Sequence, residues 1–365
     1  MWRESFLFYL TLIFIGANLA SKSLLEGSGS TFTLLFCAAV LLLLSALVFT
    51  AVTSEKKPLP IFVFIFLLMG ALNFGLGGVL GEYRLLEELS GSDWISELRN
   101  TFSARLEEVI PPENRGTNSL LTALTMGDKG GIPRELKEAY RLSGAMHLLA
   151  LSGLHVGFIY GMLNAVFMIL PRTRGWGILK GSAIILLLIF YAVFSGASPS
   201  ICRAVLMASV YEIGGMLGRE RNGLNSLSIS ALAICCINPD APSSISFQLS
   251  YCAMLGIFLI YPGVRKAIDY VTQNKMAGKV WNMAMVSLCC QIFTAPLTLL
   301  YFGSFPLISL LTNTITAPVV AAVMSVAPAA IILADVPLLG EWSTTLLSYS
   351  IQTLNLLIEI LSRVI

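Results

Sequence analysis

The sequence predicts an all-α fold: a polytopic integral membrane bundle of about 10–11 transmembrane helices with an outer helical segment. Three observations predict it. The 365-residue chain is 56% hydrophobic, with a mean hydropathy of +0.80. Only 12% of it is charged, where a soluble domain carries roughly 25%. The apolar residues gather into runs that match the about 20 helical residues a hydrocarbon core requires.

In chain order these runs are 5–20, 31–53, 59–80, 147–170, 177–195, 200–217, 224–237, 245–261, 280–302, 307–334 and 342–362. The first reads as a retained span, because no small-residue cleavage site stands out behind it. The 224–237 run is short, and 307–334 is long enough to be tilted or broken. Three regions follow: N-terminal transmembrane helices over 1–80, an extracytoplasmic helical segment over 81–146, and a transmembrane core over 147–365.

Lys56 and Lys57, then Arg172, Arg174 and Lys180, then Arg219 and Arg221, then Arg265, Lys266, Lys275 and Lys279 fall in alternate loops. By the positive-inside rule those loops are cytoplasmic. That puts the N-terminus inside and 81–146 outside. The alternation fades at 335–341, and a single span over 307–334 would put the C-terminus outside.

Within the outer segment, Ile95, Leu98, Phe102, Leu106 and Val109 recur at helical spacing. This is an amphipathic helix, lying on the outer membrane surface or packed on the bundle's own loops. Two short helices are expected after it. One runs from Asn118 as N-cap to Gly127, and the other starts at Pro133 in its first position. The segment carries 8 basic and 11 acidic residues, a poor surface for a polyanion. The seven cysteines sit in or beside apolar runs without metal-ligand spacing, so they read as small buried side chains. No metal and no cofactor is expected.

Four constellations interrupt the apolar background. The first is His147-Leu-Leu-Ala-Leu-Ser-Gly-Leu-His155, which holds both histidines of the chain. Titratable groups inside a span are costly and mark sites. On a helix running through 147–170 at about 100° per residue, Gly153, Gly157 and Gly161 share one face, suited to helix packing. Ser152, His155 and His147 then point away from that face, toward a cavity or another helix.

The second is Ser198-Pro-Ser-Ile-Cys-Arg203. Ser198 suits an N-cap and Pro199 the first helical position. A helix start, the hydroxyls of Ser198 and Ser200, and the Arg203 guanidinium in one turn make a candidate anion site. A snorkelling arginine is the alternative. The third is Ser243–Ser250, which brings Ser246, Gln248 and Ser250 into a span. The fourth is Asn313-Thr-Ile-Thr-Ala-Pro318, where Pro318 removes a ladder hydrogen bond. Broken helices of this kind often line transport paths, although a packed kink has the same sequence.

Taken in this order, these segments resemble the membrane core of the ComEC competence family. The strings that carry the resemblance are LLTALTMGDKGGIP (120–133), HLLALSGLHVGF (147–158), SPSICRAVLM (198–207), ISFQLSYCAMLGI (245–257) and TAPLTLLYFGSFPLISLLTNTITAPVV (294–320). The resemblance covers about 100–335, and its SGLH segment is quite specific. It implies an inner-membrane channel for single-stranded DNA during natural transformation. His147, Ser152, His155, Ser198, Ser200, Arg203, Gln248, Asn313 and Pro318 would line the substrate path.

Family members also carry an OB-fold and a metallo-β-lactamase-like domain. Segment 81–146 reads as helical, and both histidines lie in the SGLH string, so a core-only member is expected. With no nucleotide-binding motif, the resemblance implies partners: an extracytoplasmic DNA receptor and nuclease, a cytoplasmic DNA motor or strand-binding protein, membrane lipids, and a second copy in a homo-oligomer. Two other readings stay open. One is a permease for a small anion or metabolite, built on Arg203 and the break near Pro318. The other is an intramembrane serine hydrolase, because Ala150-Leu-Ser-Gly153 is superficially similar to a membrane nucleophile site. In that reading Ser152 lacks a base on any other helix.

Overall fold

A computed structural model describes residues 6–26, 88–109, 115–169, 171, 173–271, 275–303 and 308–363. Among these residues the regular structure is entirely helical. The helices are α1 (Phe6–Glu26), α2 (Asp93–Val109), α3 (Arg115–Met126), α4 (Arg134–Leu142), α5 (Gly153–Val166), α6 (Arg174–Phe194), α7 (Pro199–Met216), α8 (Gly223–Ile237), α9 (Ile245–Val271), α10 (Lys275–Phe302), α11 (Ser309–Leu333) and α12 (Leu339–Arg363). Four stretches are long and apolar enough to cross a membrane: Gly175–Phe194, Ile245–Ile268, Val280–Phe302 and Ser309–Leu333. The fold class is the expected helical membrane bundle. The expected spans 31–53 and 59–80, with Lys56 and Lys57, lie outside the described residues.

The chain divides into two compact units. One holds Met1–Arg84 and Ser209–Tyr251, the other Leu85–Ala208 and Cys252–Ile365. In the first unit α1 packs on α8. The α8 hydroxyls do not go unsatisfied: Ser226 and Ser228 donate to carbonyls four residues back, and Ser230 donates to Leu227 O and meets the Tyr251 hydroxyl at 3.0 Å. Such local bonding makes serine tolerable inside an apolar helix.

The second unit is built on one apolar cluster. Leu106 of α2, Leu120, Leu121 and Leu124 of α3, and Tyr140 of α4 pack with Val320 to Ala330 of α11 and Leu347 to Ile358 of α12. Segment 88–149 therefore shares a core with the last two helices. The amphipathic helix α2 takes the second of its two expected settings, since Ile95 and Leu106 are fully buried and Phe102 meets Phe194 edge-on at 5.3 Å. Arg99 fixes it there by donating to Phe194 O at 2.7 Å and Val193 O at 2.9 Å. These carbonyls lie at the C-terminal end of α6, the negative pole of that helix. Elsewhere in the unit, α9 and α10 touch at Gly256, where a Cβ would collide with Cys289 O.

Several expected boundaries move. Helix α3 begins at Arg115, so Asn118 lies inside it rather than at its cap; Gly127, at φ +82°, ends it as expected. Pro133 precedes α4 instead of opening it, because its ψ of 146° is extended. Helix α11 runs unbroken from Ser309 to Leu333 through both Pro318 and Pro328. The loss of one ladder bond does not break a helix whose other bonds and buried face persist. The largest change is at 147–152, which is not helical: α5 starts only at Gly153. The angular placement of His147 relative to His155 therefore does not hold. Of the three glycines, a Cβ on Gly153 would lie 3.5 Å from Ala204 Cβ, while one on Gly157 or Gly161 would meet no neighbouring element within 4 Å.

Candidate functional site

The site starts from the end of α4. Gly144 at φ +70° reverses the chain, with its N–H bonded to Arg141 O and the Ala145 N–H to Tyr140 O. This is a Schellman motif, closed by the fully buried pair Tyr140 and Ala145. On the exposed side of α4, Arg141 forks onto Glu138 and holds that carboxyl below its ordinary range. The turn seats on the first turn of α11. Thr312 Oγ1 donates to Ser143 O at 2.7 Å, and a Cβ on Gly144 would lie 3.1 Å from Ser309 Cβ. Gln291 Nε2 holds the Ser309 hydroxyl at 3.1 Å.

His147 follows. Its Nδ1 lies 3.1 Å from Gly144 O. Since only an N–H can serve that carbonyl, Nδ1 carries a proton. Leu148 and Leu149 then drop into the core. Leu151 fills the space over Gly127, where a Cβ would approach it to 2.7 Å and Ser195 O to 3.5 Å.

Ser152 caps α5. Its hydroxyl accepts from the Leu154 N–H at 3.3 Å, and its backbone N–H donates to His155 Nδ1 at 3.2 Å. This is a capping box with histidine where Glu or Gln is usual. It also sets the tautomer. Nδ1 accepts, so the neutral ring carries its proton on Nε2. His155 is 0% exposed, and Nε2 has no hydrogen-bond partner among the described residues.

The second constellation lies beside it. Helix α6 ends in another Schellman turn, Gly196 N–H to Val193 O and Ala197 N–H to Ala192 O. Ala197 adopts φ 49°, an unusual conformation for a residue with a Cβ. Pro199 opens α7 as expected. Ser198 sits in the cap position, but its hydroxyl makes no hydrogen bond among the described residues. Ser200 is half-buried, and Arg203 is 4% exposed. The contact of Gly153 with Ala204 sets the start of α5 against this turn of α7.

The structure thus brings three of the four constellations together, through Gly153 with Ala204 and through the bond from Thr312, next to Asn313, to Ser143, just before His147. Pro318 lies on α11, one and a half turns beyond Asn313 by helix geometry. Gln248 belongs to the other unit, where its amide donates to Pro242 O at 2.9 Å. Among the described residues, no group of three or more His, Cys, Asp or Glu is placed to hold a metal.

Comparisons with known proteins match the same stretch of chain. A family model described as Competence protein matches residues 124–365. The chain belongs to the Competence protein family. ComE operon protein 3 of Bacillus subtilis is 31% identical over 230 residues, 61% of this chain and 27% of that protein. Competence protein ComA of Neisseria gonorrhoeae is 28% identical over 260 residues, 68% of this chain and 36% of that protein. Recombination protein 2 of Haemophilus influenzae is 25% identical over 239 residues, 62% and 30% respectively. The match thus spans about a third or less of these relatives' length. No solved structure matches. Competence-family membership and the four long apolar helices make this a membrane protein.

Sequence reasoning missed two features here. Thr312 and Ser143 gave no signal, being ordinary hydroxyl residues. Glu212 did give one, a lone carboxylate inside the 200–217 run. It is 0% exposed and paired with Arg221 at 2.7 Å.

Proposed function

We propose that this chain forms part of a hydrated path for single-stranded DNA across the bacterial inner membrane, used in natural transformation. The observation that carries the proposal is the buried Nε2–H of His155. A donor fixed in orientation by its own capping box and left without a protein partner calls for water or a passing polar ligand. Arg203, on the turn of α7 that meets Gly153, supplies the nearby positive charge that a phosphodiester strand requires. The names of the relatives support DNA uptake as the process. Each phosphate moving inward against an inside-negative potential costs up to about 2.3 kcal/mol per 100 mV. A cytoplasmic motor or strand-binding protein therefore supplies the drive, and a separate receptor and nuclease delivers the strand outside.

The test is uptake of labelled DNA and transformation frequency in cells with His155→Ala or Arg203→Ala. Both fall with membrane levels unchanged; normal values in both variants overturn the site.

One observation favours a second reading. Ser152 Oγ lies 3.1 Å from His155 Nδ1, a nucleophile-to-base distance. The same nitrogen already serves the Ser152 N–H, and Asp128, a candidate third member, is turned to the Gly130 N–H at 2.8 Å. Labelling by a fluorophosphonate probe, lost in Ser152→Ala, would establish a hydrolase instead.

A further inference from the structure

Helix α12 has three faces. At about 100° per residue, Leu347, Ile351, Leu354 and Ile358 fall within an arc of about 60°. All four are 0% exposed and packed in the core with α11. A second arc holds Trp342, Leu346, Tyr349 and Leu356, exposed at 75%, 55%, 65% and 56%. Such a face is what acyl chains cover, with the aromatic rings toward one end.

The third arc, about 80° wide, holds Glu341, Thr345, Ser348, Gln352, Asn355 and Glu359 and no apolar residue. The two carboxylates are about 27 Å apart along the axis, close to the about 30 Å of a hydrocarbon core. Between them the stripe is neutral but hydrogen-bonding throughout. Gln352 reaches Ser348 at 3.2 Å. Asn355 Oδ1 is shielded from solvent and has no hydrogen-bond partner among the described residues.

A continuous row of amides and hydroxyls cannot face hydrocarbon without cost, since each unsatisfied group loses its hydration. Asn355 Oδ1 is a group of the row that the described residues leave unsatisfied. We infer that the stripe Thr345–Ser348–Gln352–Asn355 is a wall of the hydrated path, passed by single-stranded nucleic acid. The chemistry suits bases rather than phosphates. Amides and hydroxyls match base edges, and no Lys or Arg lies between Glu341 and Glu359 to hold a phosphate. This inference rests on the proposed function for its occupant, but not for its exposure to water.

The test is thiol accessibility. The seven native cysteines are replaced, and uptake by the resulting parent is verified. Single cysteines then replace Ser348, Gln352 and Asn355 on the stripe, and Leu346 and Leu356 on the apolar face. Intact cells are treated with a charged thiol reagent, with and without a transforming strand stalled by a bulky end group.

The expected result is at least tenfold faster labelling of the stripe than of Leu346→Cys, slowed severalfold by the stalled strand. Equal, slow labelling of both faces overturns the inference. So does fast labelling that a stalled strand leaves unchanged in a chain that takes up DNA, since the stripe is then only a wet surface. Disulfide-linked dimers of Gln352→Cys assign the stripe to a second copy and overturn it as well. Absence of uptake by the natural chain refutes the proposed function itself, and the strand as occupant with it.

Discussion

The Thr312 hydroxyl donates to the Ser143 carbonyl at 2.7 Å across 169 residues of sequence. It ties the turn that delivers the SGLH string to the first turn of the long apolar helix α11. Thr312→Val keeps the shape and leaves a buried carbonyl unpaired, at a cost of about 1–3 kcal/mol. Thermal unfolding of the protein in nanodiscs should show a lowered Tm, with most of the loss restored in Thr312→Ser. An unchanged Tm in Thr312→Val would mean that the turn is held elsewhere.

Gly144 faces the same contact from the other side. Alanine there takes on the left-handed backbone cost of about 1–2 kcal/mol and sets a methyl 3.1 Å from Ser309 Cβ. Gly144→Ala should destabilise at least as much as Thr312→Val. The double variant should lose less than the sum, because both act on one docking contact. Strict additivity would separate the two.

His155 has two jobs that substitution can divide. Glutamine fits a capping box and offers both an acceptor for the Ser152 N–H and a donor beyond it. Glutamate fits the box but offers only acceptors and adds a charge. His155→Gln should keep both Tm and most DNA uptake. His155→Glu should lower Tm, because it places a carboxylate at a fully buried position, and should lose uptake at least tenfold where His155→Gln does not. If His155→Glu takes up DNA normally, Nε2–H does not face the path.

How much of this was legible in the sequence follows from how far each residue type constrains its surroundings. Four long apolar stretches among the described residues were readable because apolar length is a local property, and Pro199 opened α7 where it was expected. The run 147–152 was misread because its leucines fit a helix as well as a buried turn. The decision lies in Ser143 and Gly144, whose effects depend on partners at Thr312 and Ser309 far along the chain. Pro318 misled for a related reason: a lost bond is visible in the sequence, but the buried face of Thr316 and Val320 beside which α11 continues is not.

Arg99 shows the same dependence on tertiary context. As a sequence feature it is one polar residue on an amphipathic helix, yet its guanidinium spans the last carbonyls of α6. Hydrogen bonds to a charged group contribute about 1.5–3 kcal/mol each when shielded, and this side chain is partly exposed, so the lower end applies. Arg99→Ala should lower Tm and speed amide exchange at Ser195–Ser198 before it affects the core of the unit. Arg99→Lys should recover only part, because an ammonium cannot fork onto two carbonyls. Unaltered exchange in Arg99→Ala would show that the α6 end holds without the clamp.

Glu212 and Arg221 offer a test in the other unit. The carboxylate is 0% exposed and its partner side chain 38% exposed, so the pair is buried on one side only. Removing the arginine strands a charge, and that commonly costs more than removing both partners. Arg221→Ala alone should destabilise by about 1–3 kcal/mol, discounted for the solvent reaching the guanidinium. Glu212→Gln combined with Arg221→Ala should be the more stable of the two, since the amide carries no charge to desolvate. If the double variant unfolds at a lower temperature than Arg221→Ala, the carboxylate holds the unit together through its other contacts rather than through this ion pair.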